Sequence, residues 1–272
     1  VSQKGLVEMF DSTIGASTVL LPFGGRTQGS ETQVSVQKLP VEGYTETASI
    51  MAYGYNPFLT SWSPYHGAAY AVVEACAKVV AAGAEFGGMR FSYQEYFERM
   101  HTARSWGKPL AALLGALRMQ VELGLPSIGG KDSMSGTFEQ INVPPMLMAF
   151  GITTVDAGRV ISTDFKKAGH SIYLVRHTPL ENHMPDTGAL KRNFDFVSSA
   201  IESGKIVSGY AVGFGGVAEA LAKMSFGNGI GADVEVDEAT LFDNSYGSIV
   251  VESTEPVSYT HLRAHETRGN IV

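Results

Sequence analysis

Apolar and polar positions along the 272 residues follow two periods, one typical of helices and one typical of strands. The helical period predicts helices over 1–15, 68–82, 110–124, 194–203 and 217–224. β-Branched and aromatic runs predict strands over 45–54, 89–93, 146–155, 171–176, 206–212, 234–236 and 248–251. The run 146–155 is almost wholly apolar, which predicts burial on both faces. This mixture of elements predicts an α+β or α/β fold in two domains.

Breaker residues divide these elements. The stretch 24–33 is rich in glycine and polar residues and predicts an exposed linker, and 95–99 predicts a charged turn or short helix. We predict a domain boundary near Asp156. The polar stretch 179–187 predicts a loop in which His177 and His183 are solvated rather than bound to metal. Pro109 is expected to open the helix that follows it.

Composition narrows the class of protein. Hydrophobic residues make up 44% and charged residues 17%, as in an ordinary folded globular chain. The single cysteine, Cys76, excludes an intrachain disulfide and a multi-cysteine metal site. A net charge of −7 argues against a broad nucleic-acid surface. The longest uncharged apolar run, 143–155, is too short for a membrane span, and a chain beginning at Val1 without a signal segment is expected to be an internal fragment.

The richest chemistry lies in Ser127-Ile-Gly-Gly-Lys-Asp-Ser-Met-Ser-Gly-Thr-Phe138. Gly129 and Gly130 allow close approach of main-chain N–H groups to a ligand, and Lys131 supplies a cation. Asp132 can bind a metal or accept hydrogen bonds from a sugar. The spacing is not that of a P-loop, because Leu125 and Asp132 occupy places where that motif needs Gly and Ser or Thr. The motif therefore predicts an anion site of another geometry, and a polar hairpin turn is the alternative.

Several separated motifs carry a resemblance to a known family. They are 127–138 together with Trp62-Ser-Pro-Tyr-His-Gly67, Val73-Glu-Ala-Cys-Ala-Lys78, Phe91-Ser-Tyr-Gln-Glu-Tyr-Phe97 and the run 213–224. In this order they resemble the synthetase region of phosphoribosylformylglycinamidine synthase, most of all its long single-chain form. The resemblance runs over about 1–256. That region is similar to two fused aminoimidazole ribonucleotide synthetases, and this chain resembles the second copy and the segment before it.

The resemblance implies a domain plan. We expect a connector from a preceding half over 1–40, an N-terminal-type α/β domain over 41–156 and a C-terminal-type α/β domain over 157–256. The segment 257–272 resembles a translated sequencing-adapter read and is expected to be non-native. The fold class implied is the two-domain, mixed α/β aminoimidazole ribonucleotide synthetase-like half.

The resemblance also implies an activity. The family is a cytoplasmic ligase of purine biosynthesis that converts formylglycinamide ribonucleotide to its amidine with ATP, Mg²⁺ and ammonia from a glutaminase domain. The implied partners are the preceding half, the glutaminase domain and a small phosphorylated substrate, with no nucleic acid and no membrane. The fragment alone is expected to be inactive. The alternatives are a non-catalytic structural half, or another ATP-using enzyme such as aminoimidazole ribonucleotide or selenophosphate synthetase.

Candidate site residues follow from these motifs. We expect substrate or nucleotide to contact Gly130, Lys131, Asp132, Ser133 and Ser135, together with His66, Gly215 and Gly216. Lys131 is expected to share a cleft with Glu74 or the Gly215 turn. His66 has a capping or packing role as its alternative.

The family holds an auxiliary Mg²⁺-nucleotide in this half, and by the resemblance Glu74 matches one metal ligand. The other ligand positions differ, because Thr47, Lys78 and Phe214 replace an Asp, an Asn and an Asp. The hypothesis is that the metal site is lost or weakened, with the Lys78 ammonium near Glu74 at the charge position of a metal. An ordinary salt bridge within one helix is the simpler interpretation of Glu74 and Lys78.

Overall fold

The computed structural model describes residues 4–10 and 13–255. Its helices are α1 (Lys4–Phe10), α2 (Pro57–Trp62), α3 (Pro64–Ala81), α4 (Ala103–Leu123), α5 (Thr187–Glu202), α6 (Gly216–Phe226) and α7 (Glu238–Phe242). Its strands are β1 (Phe23–Gly24), β2 (Ser30–Glu31), β3 (Ser35–Lys38), β4 (Thr47–Gly54), β5 (Arg90–Tyr96), β6 (Ser127–Lys131), β7 (Thr137–Phe138), β8 (Ile141–Asn142), β9 (Met146–Asp156), β10 (Ser171–Val175), β11 (Ile206–Ala211) and β12 (Ile249–Ser253).

Two sheets organise the described residues. The first has the order β3-β4-β9-β5-β6, antiparallel except for the parallel pair β5–β6. The second is antiparallel with the order β10-β12-β11. The chain leaves the first sheet at Asp156, where we placed the domain boundary. One apolar cluster nevertheless continues from the first sheet to the second, so the division into separate domains stays a prediction.

Helix α3 is the central element. Ser63 caps its first turn, Pro64 occupies the first helical position, and the alanine-rich sequence that follows has high helix propensity. The helix packs against β4 and β9 on the first sheet, against α4 and α5, and against β11 and β12 of the second sheet. Small residues suit this position, because a Cβ on Gly54, Gly115 or Gly209 would lie 2.0–2.6 Å from a carbonyl oxygen of α3. Backbone therefore packs on backbone around this helix.

Helices cover one face of the first sheet, and the connector covers only part of the other, which is called here the open face. The register of the sheet aligns Met51 with Ile152 and Tyr53 with Phe150, and these side chains alternate along the strands with the buried Ala52 and Ala149. Met51 is 40% exposed, Tyr53 51% and Ile152 39%. The prediction that 146–155 is buried on both faces is therefore wrong. The strand alternates between covered and open sides, as is common in antiparallel sheets.

Most predicted elements are confirmed with shifted ends. Helix α4 begins at Ala103 rather than at Pro109, because Thr102 and Ser105 form a capping box and Pro109 lies within the helix. Strand β5 continues through Glu95 to Tyr96, where a turn or helix was predicted. Helix α5 begins at Thr187, capped by Asp186. No described strand pairs with 234–236, so the strand predicted there is wrong.

The stretch 24–33 is not an exposed linker. Ser30 is fully buried, and its hydroxyl donates to the Lys223 carbonyl at 2.5 Å. The Gln33 amide donates to the Ala211 carbonyl and accepts from the Ala211 N–H. A Cβ on Gly25 would lie 2.3 Å from the Gly227 backbone, so this glycine permits close packing. The connector is therefore bound to β11 and α6, although its derivation from a preceding half remains a prediction.

No described helix combines the length and the apolar character that crossing a bilayer requires. The predicted helix 1–15 is described over Lys4–Phe10 as α1, but residues 13–15 form a turn rather than helix, and positions 1–3 and 11–12 lie outside the described residues. The predicted non-native segment 257–272 also lies outside them.

Candidate functional site

The first candidate site is a cavity of about 320 Å³ between the two sheets, called here the interlobe cavity. It lies where β4 and β11 end and α6 begins. Its lining is charged and aromatic: Glu31, Thr32, Gln33, Tyr53, Tyr55, Asn56, Pro57, Phe58, Glu74, Lys78, Tyr210, Gly213, Phe214, Glu219, Lys223 and Tyr246. Among the predicted site residues, Glu74 lines it, and Gly215 follows directly after the lining residue Phe214.

Glu74 and Lys78 form a buried ion pair in the interlobe cavity. Their side-chain atoms lie 2.8 Å apart, one helical turn from each other on α3, and each side chain is 11% exposed. Lys78 also donates to the Tyr53 carbonyl and lies over the Tyr53 ring. The second Glu74 oxygen accepts from the Tyr55 N–H. Both oxygens of the predicted metal ligand thus have protein partners.

A second network of charges lies on the opposite wall. Lys223 contacts Glu219 at 2.7 Å and Glu31 at 2.5 Å. Glu219 also accepts from the Gly215 N–H at 2.8 Å, so a carboxylate of α6 itself occupies the anion position at the start of this helix. Burial raises the pKa of Glu219, but the hydrogen bond from Lys223 and that from Gly215 outweigh it and lower the pKa below its usual value.

The Gly215–Gly216 turn is shaped by packing. Gly216 has a φ of +69°, and a Cβ there would lie 2.8 Å from the Leu241 carbonyl oxygen. Phe214, beside it, stacks on Phe58 with ring centroids 5.2 Å apart. The turn therefore presents an aromatic ring at the edge of the cavity, and its first N–H is already bonded to Glu219.

These residues do not fit a Mg²⁺ site. Within 4–10 and 13–255, no three His, Cys, Asp or Glu side chains are grouped so as to hold a metal ion. Lys78 and Lys223 already neutralise the carboxylates that face the cavity. The match of Thr47 to a metal-ligand position near Glu74 is wrong. Thr47 lies at the end of β4 away from the interlobe cavity and lines another cavity with Arg159.

The second candidate site surrounds Lys131, at the edge strand β6. A cavity of about 320 Å³ is lined there by Ser92, Tyr93, Gln94, Ile128, Gly129, Gly130, Lys131 and Phe150. Lys131 pairs in register with Gln94, which places it on the open face of the sheet, and it is exposed. Glu74 and Gly215 do not line this cavity. The expectation of one cleft shared by Lys131 with either of them is therefore wrong within this chain.

The rest of the motif follows β6 as an irregular segment. Ser133 donates its N–H to the Glu95 carbonyl, and its hydroxyl lies 3.0 Å from that of Ser135. Asp132 and Ser135 are exposed. β6 ends at Lys131, so residues 132–136 do not continue the strand.

His66 does not line either cavity. One ring nitrogen lies 2.8 Å from the Ser63 hydroxyl that caps α3, and the other lies 3.1 Å from the Asn182 carbonyl oxygen. The ring also packs against Trp62. In this chain His66 therefore has the capping and packing contacts that were its alternative role.

The sequence analysis did not identify two buried ionisable side chains, Glu95 and His177. Glu95 is 6% exposed, its Oε1 has no hydrogen-bond partner among the described residues, and burial and the nearby Asp132 charge raise its pKa to about 7. A strand continued past Tyr93 would have placed Glu95 on the covered face. His177, predicted in solvent, is 1% exposed and contacts the Tyr246 carbonyl and the Asp186 N–H; burial lowers its pKa.

A third cavity, of about 670 Å³, lies between the connector and the open face of the sheet. None of its lining residues is charged. They are Val7, Ile14, Ser17, Thr18, Leu20, Pro22, Thr32, Gln33, Val34, Ser35, Gln37, Met51, Ala52, Tyr53 and Phe150. Its lining therefore combines apolar side chains with uncharged polar ones.

The fold has solved counterparts. T. maritima PurL complexed with AMPPCP matches 98% of this chain and 41% of its own, with a TM-score of 0.69 and 17% identity. Thiamine monophosphate kinase from Aquifex aeolicus matches 84% of this chain and 87% of its own, with a TM-score of 0.58 and 12% identity. The chain therefore has a mixed α/β, aminoimidazole ribonucleotide synthetase-like fold, and the predicted fold class is confirmed.

Sequence comparison points to one kind of relative. The phosphoribosylformylglycinamidine synthase subunit PurL of Thermoplasma acidophilum is 26% identical over 258 residues, covering 86% of this chain and 32% of that protein. No family model matches the chain. The chain is thus PurL-like in sequence and fold and spans about one third of the length of this curated relative.

Proposed function

We propose that this chain is the second synthetase-like half of a long single-chain phosphoribosylformylglycinamidine synthase, preceded by its connector. The whole enzyme would convert formylglycinamide ribonucleotide to its amidine with ATP and glutamine-derived ammonia, in the cytoplasm. The single observation that carries the proposal is similarity to PurL across 86% of this chain but only 32% of the relative. The chain alone would then be inactive.

The open face of the first sheet gives this proposal a structural basis. Met51, Tyr53 and Ile152 leave an apolar surface on β4 and β9, and Lys131 lies on the same side at the edge strand. A preceding half that packed on this face would bury the apolar side chains and enclose Lys131. The substrate cleft would then be composite, with Lys131 and Asp132 contributed by this half to a phosphorylated ligand.

The interlobe cavity supports a structural role for Glu74, Lys78 and the Gly215 turn. Its carboxylates are neutralised by Lys78 and Lys223, and the start of α6 is bonded to Glu219. We therefore propose that this half has lost the auxiliary Mg²⁺-nucleotide and that the two lysines stabilise the cavity without it. Calorimetric titration of this chain with ADP and Mg²⁺ should give no heat of binding. Micromolar binding that the Glu74→Gln substitution abolishes would place the nucleotide in the interlobe cavity and contradict the proposal.

The test of the composite cleft is a substitution in the full-length enzyme. Lys131→Ala should lower kcat/KM for the formylglycinamide ribonucleotide by about 100-fold, roughly 2.7 kcal/mol, because a cation facing a phosphate is lost. The matched control is Lys167→Ala, an exposed lysine in the segment before β10, which should leave turnover unchanged. Equal turnover of both variants, with native circular dichroism, would instead favour the purely structural half.

A further inference from the structure

The buried ring of His177 joins two segments that are far apart along the chain. His177 lies two positions after β10 and is 1% exposed. Its Nδ1 lies 2.7 Å from the carbonyl oxygen of Tyr246, in the turn before β12. Its Nε2 lies 3.1 Å from the amide nitrogen of Asp186, the residue that caps α5. The imidazole therefore bridges the turn before β12 and the start of α5.

The two partners define the protonation state of the ring. A carbonyl oxygen only accepts, so Nδ1 must carry a proton and donate it to Tyr246. A backbone amide only donates, so Nε2 must be unprotonated and accept from Asp186. The hydrogen bonds therefore require a neutral ring with its proton on Nδ1. Burial favours the same state, because it lowers the pKa of His177.

A second proton on the ring would oppose the contact with Asp186. Both nitrogens of an imidazolium donate, so Nε2–H would face the N–H of Asp186 with no acceptor between them. The Asp186 carboxylate, whose charge already acts on the ring, would be the nearby acceptor. Its Oδ1 now accepts from the Ala189 N–H at 2.9 Å as the cap of α5. Turning toward the imidazolium would therefore remove the cap from the first turn of α5.

Both bridged segments also contact the helices of the first sheet. In the loop before α5, the His183 carbonyl accepts from the Tyr70 hydroxyl of α3 at 2.9 Å. In the turn before β12, the Tyr246 hydroxyl accepts at 2.7 Å from the side-chain amide of Asn56, which caps α2. Tyr246 also lines the interlobe cavity. Loss of the His177 bridge would therefore loosen contacts between the second sheet and α2 and α3.

Other titratable groups face this region from the neighbouring elements. The ring is not bonded to them, since both of its nitrogens have backbone partners. They are Glu122 on α4, which accepts from Thr187, Glu74 and His66 on α3, His183 in the loop before α5, and Arg176 and Asp243, which contact each other beside the turn. A comparison of variants at each pH therefore has to separate the His177 ring from these groups.

We propose that His177 is an acid-sensitive latch: protonation of its ring breaks the contact with Asp186 and releases the first turn of α5. The latch goes beyond the function proposed above and does not depend on it, because it consists of contacts within this chain. The pKa of His177 is lower in the folded than in the unfolded chain. The contribution of the neutral ring to stability is therefore fully present above about pH 6.5 and is lost as the pH falls through the folded pKa.

Nitrogen-15 NMR of the unmodified chain tests the latch directly. The ring of His177 should be neutral with its proton on Nδ1 at about pH 8, and its protonation midpoint should lie below about 6.5. Hydrogen exchange then reports on the amides of Asp186, Ala189 and Leu190, which hold the start of α5. Their protection, corrected for the intrinsic exchange rate, should fall by about 10-fold when the ring is protonated, while α4 keeps its protection.

Three results would overturn the latch. The first is a proton on Nε2 at neutral pH, and the second is equal protection of the start of α5 in both states of the ring. The third is a loss of protection that extends equally through α4, because the chain would then unfold as a whole.

Matched substitutions separate His177 from the other titratable groups. His177→Gln retains a side-chain amide but cannot gain a proton, so the loss of protection at acid pH should disappear. His183→Gln, at an exposed histidine of the same loop, is the control and should lose protection like the unmodified chain. Thermal melts by circular dichroism establish that each variant is folded, and NMR of the unmodified chain decides if His177→Gln is not. An acid effect that persists in His177→Gln, or that His183→Gln abolishes, would contradict the proposal.

Discussion

Glu95 shows how one residue couples the core of the first sheet to the Lys131 motif. It lies on the covered face of β5 between Tyr93 and Phe97, both buried, and the Tyr93 hydroxyl also lacks a described partner. Burial of the carboxyl raises its pKa from 4.5 to about 7, with a further contribution from Asp132. Glu95 therefore holds its proton in the folded state at a pH where the unfolded chain has lost it.

This gives a pH-dependent prediction. The pKa of Glu95 is higher in the folded than in the unfolded chain. The contribution of protonated Glu95 to stability is therefore fully present below about pH 4.5 and is lost as the pH rises through about 7. Glu95→Gln should therefore raise the free energy of unfolding by about 1–3 kcal/mol at pH 8, and the gain should vanish near pH 4. Urea unfolding across this range measures it. Glu181→Gln, at an exposed position, should show no such trend.

At the scale of elements, the contact between α3 and α4 depends on Gly115. A Cβ there would lie 2.0 Å from the Tyr65 carbonyl oxygen, whereas Gly107 of the same helix has no atom within 4 Å of that position. Gly107→Ala should stabilise the protein by up to about 1 kcal/mol through helix propensity. Gly115→Ala should destabilise it by about 1–3 kcal/mol despite the same gain. Equal urea midpoints for the two variants would show that the helices can separate without cost.

The elements also show which signals the sequence carried. The alanine run predicted the body of α3 over 68–82, because helix propensity is a local property, and Ser63-Pro64 caps the helix a few residues earlier. The start of α4 was missed because Pro109 was taken as the first position, whereas the Thr102 capping box acts earlier. The end of β5 was missed because the charge of Glu95 suggested solvent, while packing under the helices decided its burial.

At the scale of the whole molecule, the connector joins the two sheets. Gln33 forms two hydrogen bonds with the Ala211 backbone, so β11 is fixed to the segment that leads into β3. Gln33→Ala should lower the free energy of unfolding by about 1–3 kcal/mol, since both backbone groups lose their partner. Amide exchange within β11 should accelerate. Gln140→Ala, at an exposed position, is the control. Unchanged amide exchange in β11 of the Gln33→Ala variant would show that the two Gln33–Ala211 hydrogen bonds do not stabilise this strand.

The candidate site was predictable in part. The Glu74–Lys78 pair follows from a spacing of four on one helix, and the salt bridge that was its simpler interpretation is observed. Glu219 and Lys223 have the same spacing and could have been found in the same way. Glu31 joins them from 192 positions away, and no local pattern announces it.

The sequence by itself determined the kinds of element, the mixed α/β class and the residues able to bind an anion, because propensity, capping and periodicity are local properties. Only the tertiary structure decided which of those residues meet. It separated Lys131 from Glu74, placed Lys223 against the carboxylates of the interlobe cavity, and left part of one sheet face exposed. The physical reason is that such contacts depend on how helices and sheets pack, and packing joins positions that have no relation along the chain.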